Sequence, residues 1–142
     1  MFGYGKTASN AIGTLSYLAE IYGEKKNSAG SPEIAKIRDI SKSLAAKLLT
    51  VLSTSGYVRG VPGPKGGYTL AREPNDITLF EIVILFEKMS DALNCPFGPN
   101  WCGNKEPCPL HDKLADARNR MEIFLKETTL EVFVKNEQKC PV

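Results

Sequence analysis

The chain has 142 residues, enough for one domain with an appended helix but too few for two independent hydrophobic cores. Hydrophobic residues make up 42% and charged residues 24%, which excludes a disordered or collagen-like chain, and no apolar run is long enough to span a membrane. The net charge of +2 is unevenly distributed along the chain. Up to Asn75 there are ten Lys and Arg residues and five Asp and Glu residues, whereas from Asp76 onward there are eight Lys and Arg and eleven Asp and Glu. A basic first half predicts binding to a polyanion there. The N-terminus lacks a secretory pattern, so we expect a cytoplasmic protein.

Three helices are predicted in the first 56 residues. Apolar residues recur at helical spacing between Thr7 and Tyr22 and indicate the first helix. Ser31 as N-cap and Pro32 predict a short second helix, whose packed residues are expected to be Ile34, Ala35 and Ile37. Ser41 is suited to cap a third helix that ends at Gly56, with one apolar face formed by Leu44, Ala45, Leu48, Leu49 and Leu52.

A two-stranded hairpin is expected directly after these helices. Tyr57-Val58 and Tyr68-Thr69-Leu70 have the composition of short strands, and the Gly- and Pro-rich segment 61–67 between them indicates a turn. Three helices followed by such a hairpin are typical of the winged helix-turn-helix fold, in which the third helix enters the major groove of DNA. The predicted fold class is therefore mainly α with a small β-wing.

The third helix and the wing supply candidate DNA-binding residues. Periodicity places hydroxyl and amine groups on the outer face of that helix, at Ser41, Lys42, Ser43 and Lys47, together with Ala46 and Thr50. In the wing, Gly66 and its neighbouring glycines allow the backbone to come close to a ligand, and Lys65 brings positive charge to a minor-groove contact. A helical domain with an ordinary surface hairpin is the alternative interpretation.

Two more helices are predicted in the second half. The first begins at Asp76-Ile77-Thr78 and continues to about Met89, and the last follows Leu110. The last helix has a narrow apolar stripe, formed by Leu114, Ala117, Met121, Phe124 and Leu125. Because such a stripe is unfavourable in water, we expect a homodimer, the alternative being that this helix packs on its own domain. The predicted division is 1–75 for the DNA-binding domain, 76–134 for a linker helix, the Cys- and His-containing loop described next and the dimerisation helix, and 135–142 for a flexible tail.

Three cysteines and the chain's one histidine lie within seventeen residues, as Cys95, Cys102, Cys108 and His111. Clustered cysteines without a secretion signal favour metal or redox chemistry over structural disulfides. Structural zinc sites usually contain closely spaced Cys pairs, whereas the spacing C-x6-C-x5-C-x2-H is wide, so an iron–sulfur cluster is preferred and Zn²⁺ is the alternative. Cys108 precedes the last helix, whose N-terminal dipole stabilises thiolates. Cys140 has no neighbouring ligand and is expected to be a bystander.

Other functions remain open on residues alone. A small iron–sulfur electron carrier would need the cysteines but not the glycine-rich wing. A regulator of the same fold could also work with zinc or, without metal, by oxidation of its thiols. An enzyme is not expected, because the sole histidine lies among cysteines and no pair of carboxylates is placed by a motif.

Taken together, these motifs resemble the IscR/NsrR family of bacterial winged-helix regulators over nearly the whole chain. The resemblance rests on the helix at Ile34-Ala35, the wing around Gly66, the three cysteines, and the final helix that runs into Thr129-Leu130. It implies a homodimer on palindromic double-stranded DNA with one cluster per protomer, held by Cys95, Cys102 and Cys108. Members similar to IscR carry a 2Fe–2S cluster with a histidine placed as His111 is, whereas NsrR-like members use an acidic residue of the first helix, where this chain has Ser9.

The chain also departs from that family pattern. Family wings commonly have arginine just before the Gly-Pro pair, whereas this chain has Pro62 and must rely on Lys65 or Arg59. Ala46 and Lys47 stand where members similar to IscR have polar base-reading residues, and the first cysteine interval is one residue longer. The sequence therefore predicts a DNA-binding, cluster-carrying regulator of unspecified operator and signal.

Overall fold

A computed structural model of the chain describes residues 5–64, 66–87 and 109–134. These residues form two compact units, one within Asn10–Ile77 and Thr129–Val142 and the other within Met1–Ser9 and Thr78–Thr128. None of the helices in the described ranges is both long and apolar enough to cross a membrane.

The first unit contains α1 (Lys6–Glu20) from Asn10 onward, together with α2 (Ser31–Arg38) and α3 (Lys42–Thr54). Their apolar positions recur every three to four residues, so each helix has one face that is shielded from water. The largest fully buried side chains of these helices are Leu15, Leu18, Ile34, Leu49 and Leu52. The three predicted helices are confirmed, although α1 ends at Glu20 and the predicted helix position Tyr22 is 38% exposed.

The ends of α2 and α3 follow from local hydrogen bonding. Ser41 caps α3 as predicted, because its Oγ accepts a hydrogen bond from the backbone N–H of Leu44 at 3.1 Å. The prediction that Ser31 caps α2 is wrong by one residue: Gly30 takes the extended N-cap conformation, and Ser31 already belongs to the helix. Asp39 ends α2 in the left-handed region with φ 53°, which begins the turn into α3.

One predicted core residue of α2 is also wrong. Ile37 is 45% exposed, and Arg38 takes the inward position instead. The Arg38 guanidinium donates hydrogen bonds to the carbonyl oxygen of Gly13 at 2.9 Å and to the Glu20 carboxylate at 2.7 Å. Helical spacing from Ile34 allows either residue to face α1, and these charge-assisted hydrogen bonds favour Arg38.

Two antiparallel strands, β1 (Val58–Val61) and β2 (Gly67–Leu70), form the wing, with Val58 opposite Leu70 and Val61 opposite Gly67. Ala29 adds a short third segment to this sheet by exchanging two backbone hydrogen bonds with Tyr68, of 3.0 and 2.8 Å. Gly67 must be glycine here, because a Cβ would lie 2.4 Å from the carbonyl carbon of Ala29. The loop before α2 is therefore joined to the wing.

In the second unit, α4 (Leu79–Phe86) begins later than predicted. Asp76, where the helix was predicted to begin, is the last residue of a short 3-10 helix, Pro74–Asp76, and Thr78 is the N-cap of α4. Thr78 and Glu81 form a capping box, in which each side chain accepts a hydrogen bond from the other residue's backbone N–H. The predicted end near Met89 lies outside the described residues. The last helix, α5 (His111–Glu127), begins directly after Leu110 as predicted.

Candidate nucleic-acid interface

The outer face of α3 is polar and exposed. Helix α3 buries Ala45, Leu48, Leu49 and Leu52 on one side. The residues predicted for the other side are all exposed, namely Ser41, Lys42, Ser43, Ala46, Lys47 and Thr50. Their exposure agrees with the periodicity of the sequence, whereas their contact with DNA stays a prediction.

The hydroxyl groups of this face already have partners within the helix. Thr50 Oγ1 donates to the carbonyl oxygen of Ala46 at 2.9 Å, and Ser41 Oγ lies 3.3 Å from Ser43 Oγ. The two amines of the face belong to Lys42 and Lys47. Amines on long flexible side chains are suited to phosphate oxygens and to the acceptor groups of guanine.

The wing carries a third exposed cation, in addition to the two of α3. Arg59 lies on β1 opposite Thr69 and is exposed, whereas Lys65 lies outside the described residues. The Gly66 N–H donates to the Gly63 carbonyl oxygen at 2.9 Å, and a Cβ at Gly66 would lie 2.1 Å from the carbonyl oxygen of Val61. Gly66 is thus required by the tight turn that the sequence predicted at 61–67, whereas its contact with DNA stays a prediction.

A polar cluster between α1 and α2 was not predicted from the sequence. Tyr17 donates a hydrogen bond to Glu33 at 2.8 Å, Lys26 pairs with Glu33 at 3.1 Å, and the Arg38 guanidinium lies 5.6 Å from the Tyr17 ring centroid. Burial, followed by the hydrogen bond to Glu33, raises the pKa of Tyr17 to about 12. The same hydrogen bond lowers the pKa of Glu33. These residues are scattered along the chain without a motif, so no sequence signal could have grouped them.

The four predicted cluster ligands are only partly described. Cys95, Cys102 and Cys108 lie outside the described residues, as does Cys140. His111 is the first residue of α5 and is half-buried. Among the residues that are described, no group of three or more His, Cys, Asp or Glu side chains is placed to hold a metal ion. The ligand set therefore stays a prediction.

Helix α5 keeps much of its apolar stripe accessible. Leu125 is the one stripe residue that is buried, at 2% exposure. Leu114, Ala117 and Met121 are half-buried, and Phe124 is 49% exposed. Lys126 Nζ lies 4.7 Å from the ring centroid of Phe80 on α4, and the Leu79 N–H donates to the Thr128 carbonyl oxygen at 2.9 Å. These contacts fix one side of α5 and leave the side chain of Phe124 half exposed to solvent.

The sequence matches proteins of one regulatory family. Residues 4–136 match the Rrf2 family, described as iron-dependent transcriptional regulators. An HTH-type transcriptional regulator of Aquifex aeolicus is 32% identical over 138 residues, which cover 96% of this chain and 94% of that protein. The regulator IscR of Photorhabdus laumondii is 30% identical over 110 residues, 78% of this chain and 66% of that protein.

The fold is also similar to solved structures. CymR, the global cysteine regulator of B. subtilis, superimposes with a TM-score of 0.71 at 24% identity, covering 92% of this chain and 95% of that one. IscR of T. potens gives a TM-score of 0.67 at 24% identity, covering 90% and 83%. These likenesses confirm the predicted winged-helix fold, mainly α with a small β-wing. The matched sequences and structures are those of transcriptional regulators, which agrees with the prediction that the chain is not an enzyme and sets aside the electron carrier.

Proposed function

The chain belongs to the Rrf2 family of transcriptional regulators, and on that premise we propose that it is a homodimer whose iron–sulfur cluster controls its affinity for an operator. The single observation that supports this most is the position of His111 at the first residue of α5, three residues after Cys108 in the sequence. One helix thereby begins with a candidate cluster ligand and carries the candidate dimer stripe.

The proposed DNA face consists of the outer side of α3 and the wing. Ser41, Lys42, Ser43 and Lys47 contact phosphates and base edges in the major groove, and Arg59, Lys65 and Gly66 belong to the wing contact with the backbone or the minor groove. The support is that every described member of α3 in this set is exposed and that Arg59 is exposed on β1. Palindromic DNA with two half-sites follows from a two-fold dimer.

The proposed cluster ligands are Cys95, Cys102, Cys108 and His111. Three thiolates and an imidazole suit iron–sulfur coordination, and a 2Fe–2S cluster is the preferred type. The N-cap residue of α5 is Leu110, which makes no side-chain hydrogen bond to the helix, and Asp112 is the acidic residue of the first turn. The positive end of the helix dipole favours a further anionic group beside His111. Such a cluster, when bound, supplies sensitivity to iron, oxidants or nitric oxide.

The proposed dimer uses the accessible part of the α5 stripe. Phe124 is half exposed, with Ala117 and Met121 half-buried beside it at helical spacing. Covering these side chains with the same helix of a second copy removes apolar surface from water, and the contact is self-complementary as a two-fold axis requires.

Ligation by His111 then links the cysteine segment to DNA binding. Holding the imidazole fixes the first turn of α5, and α5 sets the spacing of the two winged domains in the dimer against the separation of the half-sites. Cluster binding shifts the equilibrium between a DNA-binding and a non-binding arrangement of the dimer only if the cluster's contacts differ between the two arrangements. The usual coupling between two sites is about 1–3 kcal/mol, roughly five- to 150-fold in affinity.

The deciding experiment is anaerobic purification followed by ultraviolet-visible spectroscopy and measurement of iron and sulfide. Serine at Cys95, Cys102 or Cys108 should abolish the chromophore and bring operator affinity to the apo value, whereas Cys140→Ser, the matched control, should do neither. His111→Ala should shift the spectrum or make the cluster more labile, because three thiolates remain.

Three outcomes would contradict the cluster proposal. A colourless protein with stoichiometric zinc would identify a zinc regulator, and a metal-free protein whose DNA binding follows thiol oxidation would identify a thiol switch. Equal operator affinity of the holo and apo proteins would remove the sensing role and leave the cysteine segment structural.

A further inference from the structure

The outer face of α3 presents methyl groups as well as amines. With about 100° of rotation per residue, the side opposite the buried Leu48 and Leu52 runs close to Ser43 and Thr50, with Ala46 and Lys47 on either flank. Ala46 and Thr50 are four residues apart and both exposed, so they are neighbours on the helix surface, with about 5–6 Å between their Cβ atoms.

The hydrogen bond of Thr50 determines which part of its side chain faces outward. Its Oγ1 donates to the Ala46 carbonyl oxygen at 2.9 Å and is therefore turned toward the helix backbone. The γ-methyl group is the other branch of the same β-carbon, and together with the Ala46 methyl it forms a small apolar area. Lys47, which follows Ala46, supplies a charged donor at its edge.

We infer that Ala46 and Thr50 are specificity-determining residues that contact the 5-methyl group of thymine in each half-site, next to a guanine bound by Lys47. This inference rests on the proposed placement of α3 in the major groove. Thymine is the base that presents a methyl group there, alanine and the threonine methyl are its usual partners, and lysine pairs with guanine O6 and N7. Base pairs are about 3.4 Å apart, so two methyl groups about 5–6 Å apart lie over neighbouring steps.

The test begins with the whole 142-residue chain and selection of bound duplexes from a random pool. Each thymine of the selected half-site is then replaced by uracil, which removes only the 5-methyl group. We expect one or two positions per half-site where uracil weakens binding about three- to fivefold, the effect of uncovering one buried methyl group. Uracil at the remaining thymines should leave the affinity unchanged and serves as the control for changes in duplex shape.

Two protein variants, Thr50→Ser and Ala46→Gly, each remove one methyl group of the apolar area and assign the uracil penalty to a residue. Thr50→Ser keeps the hydroxyl that bonds to Ala46 and removes only the methyl, so it should abolish the uracil penalty at one position. Thr54→Ser is the matched control, because Thr54 Oγ1 makes the same type of hydrogen bond, to the Thr50 carbonyl oxygen at 2.9 Å, but at the C-terminal end of α3. The penalty should persist in Thr54→Ser.

The possible failures are distinguishable. A selected duplex that binds tightly but tolerates uracil at every thymine, or a penalty that survives Thr50→Ser and Ala46→Gly, would overturn the thymine contact and leave the proposed function in place. If no duplex were enriched in the selection, the proposed operator-binding function would fail together with the inference.

Discussion

Helices α3 and α5 differ in the number of residues that are buried in the chain's own core. Helix α3 has 13 residues and buries four, whereas α5 has 17 residues and buries one, Leu125. A helix gains most of its stability in a protein from packing of its apolar face, so α3 is held by the chain's own core. Helix α5 has half-covered apolar side chains, which is the state expected of an element completed by a second copy. The comparison indicates that the fold of the proposed recognition helix depends on the stability of one chain, whereas the proposed dimer, and with it binding to a palindrome, depends on protein concentration.

The largest effect is expected in the core under α3. Leu49 is fully buried, and Leu49→Ala should lower the free energy of unfolding by about 2–5 kcal/mol, because it removes apolar contacts and leaves a cavity. Val51→Ala is the matched control on the same helix, since Val51 is 39% exposed, and it should cost less than about 1 kcal/mol. Denaturant unfolding followed by circular dichroism measures both. Equal losses would mean that α3 is not held by this core.

The next effect separates assembly from folding. Phe124→Glu should weaken the dimer at least about tenfold, since a carboxylate in an apolar contact loses its hydration, and it should leave the unfolding of each chain nearly unchanged. Ile123→Glu is the control, because Ile123 is 52% exposed but points about 100° away from Phe124 around the helix. Sedimentation equilibrium at micromolar concentration distinguishes them. A monomeric parent protein, or equal weakening by both changes, would contradict the α5 dimer.

The contrast between the helices also shows which features a sequence reveals. The exposed face of α3, its Ser41 cap and the position of the wing are local consequences of spacing and capping, and sequence reasoning predicts them correctly. The pairing of Ala29 with Tyr68 joins residues 39 positions apart through a single bridge, which leaves no periodic pattern to detect. The inward turn of Arg38 in place of Ile37 depends on Glu20 and Gly13 of another helix. The cysteine ligands and Lys65 lie outside the described residues and stay predictions.

A smaller effect compares the caps of α3 and α4, one in each unit. Ser41→Ala and Thr78→Ala each remove a side-chain oxygen that accepts a backbone N–H at the helix start, and each should cost about 1 kcal/mol. Ser41→Ala is also expected to weaken operator binding, because the first turn of α3 is part of the proposed DNA face. Thr78→Ala should lower the stability without weakening operator binding, because α4 is not part of the proposed DNA face. If both variants changed DNA affinity equally, the cap of α3 would have no special role in recognition.

The salt dependence of operator binding compares the charges of the proposed DNA face with those of α5. Alanine at Lys42, Lys47 and Arg59 should flatten the slope of the logarithm of affinity against the logarithm of salt concentration, by about one unit for each phosphate that the protein no longer neutralises. Lys113→Ala, an exposed lysine in the first turn of α5, is the control and should leave the slope unchanged. Titration of an operator duplex at several salt concentrations measures it. An unchanged slope in the triple variant would place the DNA face elsewhere.

The smallest effect concerns the polar cluster that joins α1 to α2. Glu33 has a lowered pKa in the folded chain, owing first to the hydrogen bond from Tyr17, so its contribution to stability is present above about pH 4.5 and is lost as the pH falls through the folded value. Tyr17 has a pKa raised from 10.0 to about 12, so its contribution is complete below pH 10 and is lost as the pH rises toward 12. Both losses should be about 0.5 kcal/mol or less, because the Glu33 side chain is 33% exposed and solvent screens the pair.

Tyr17→Phe should therefore unfold with a flatter pH profile than the parent chain at both ends, whereas Tyr22→Phe, which changes an exposed tyrosine of the same unit, should follow the parent. Thermal unfolding midpoints measured from pH 3 to 11 would show this, and a profile of Tyr17→Phe that runs parallel to the parent at both ends would mean that the hydrogen bond between Tyr17 and Glu33 does not form in solution.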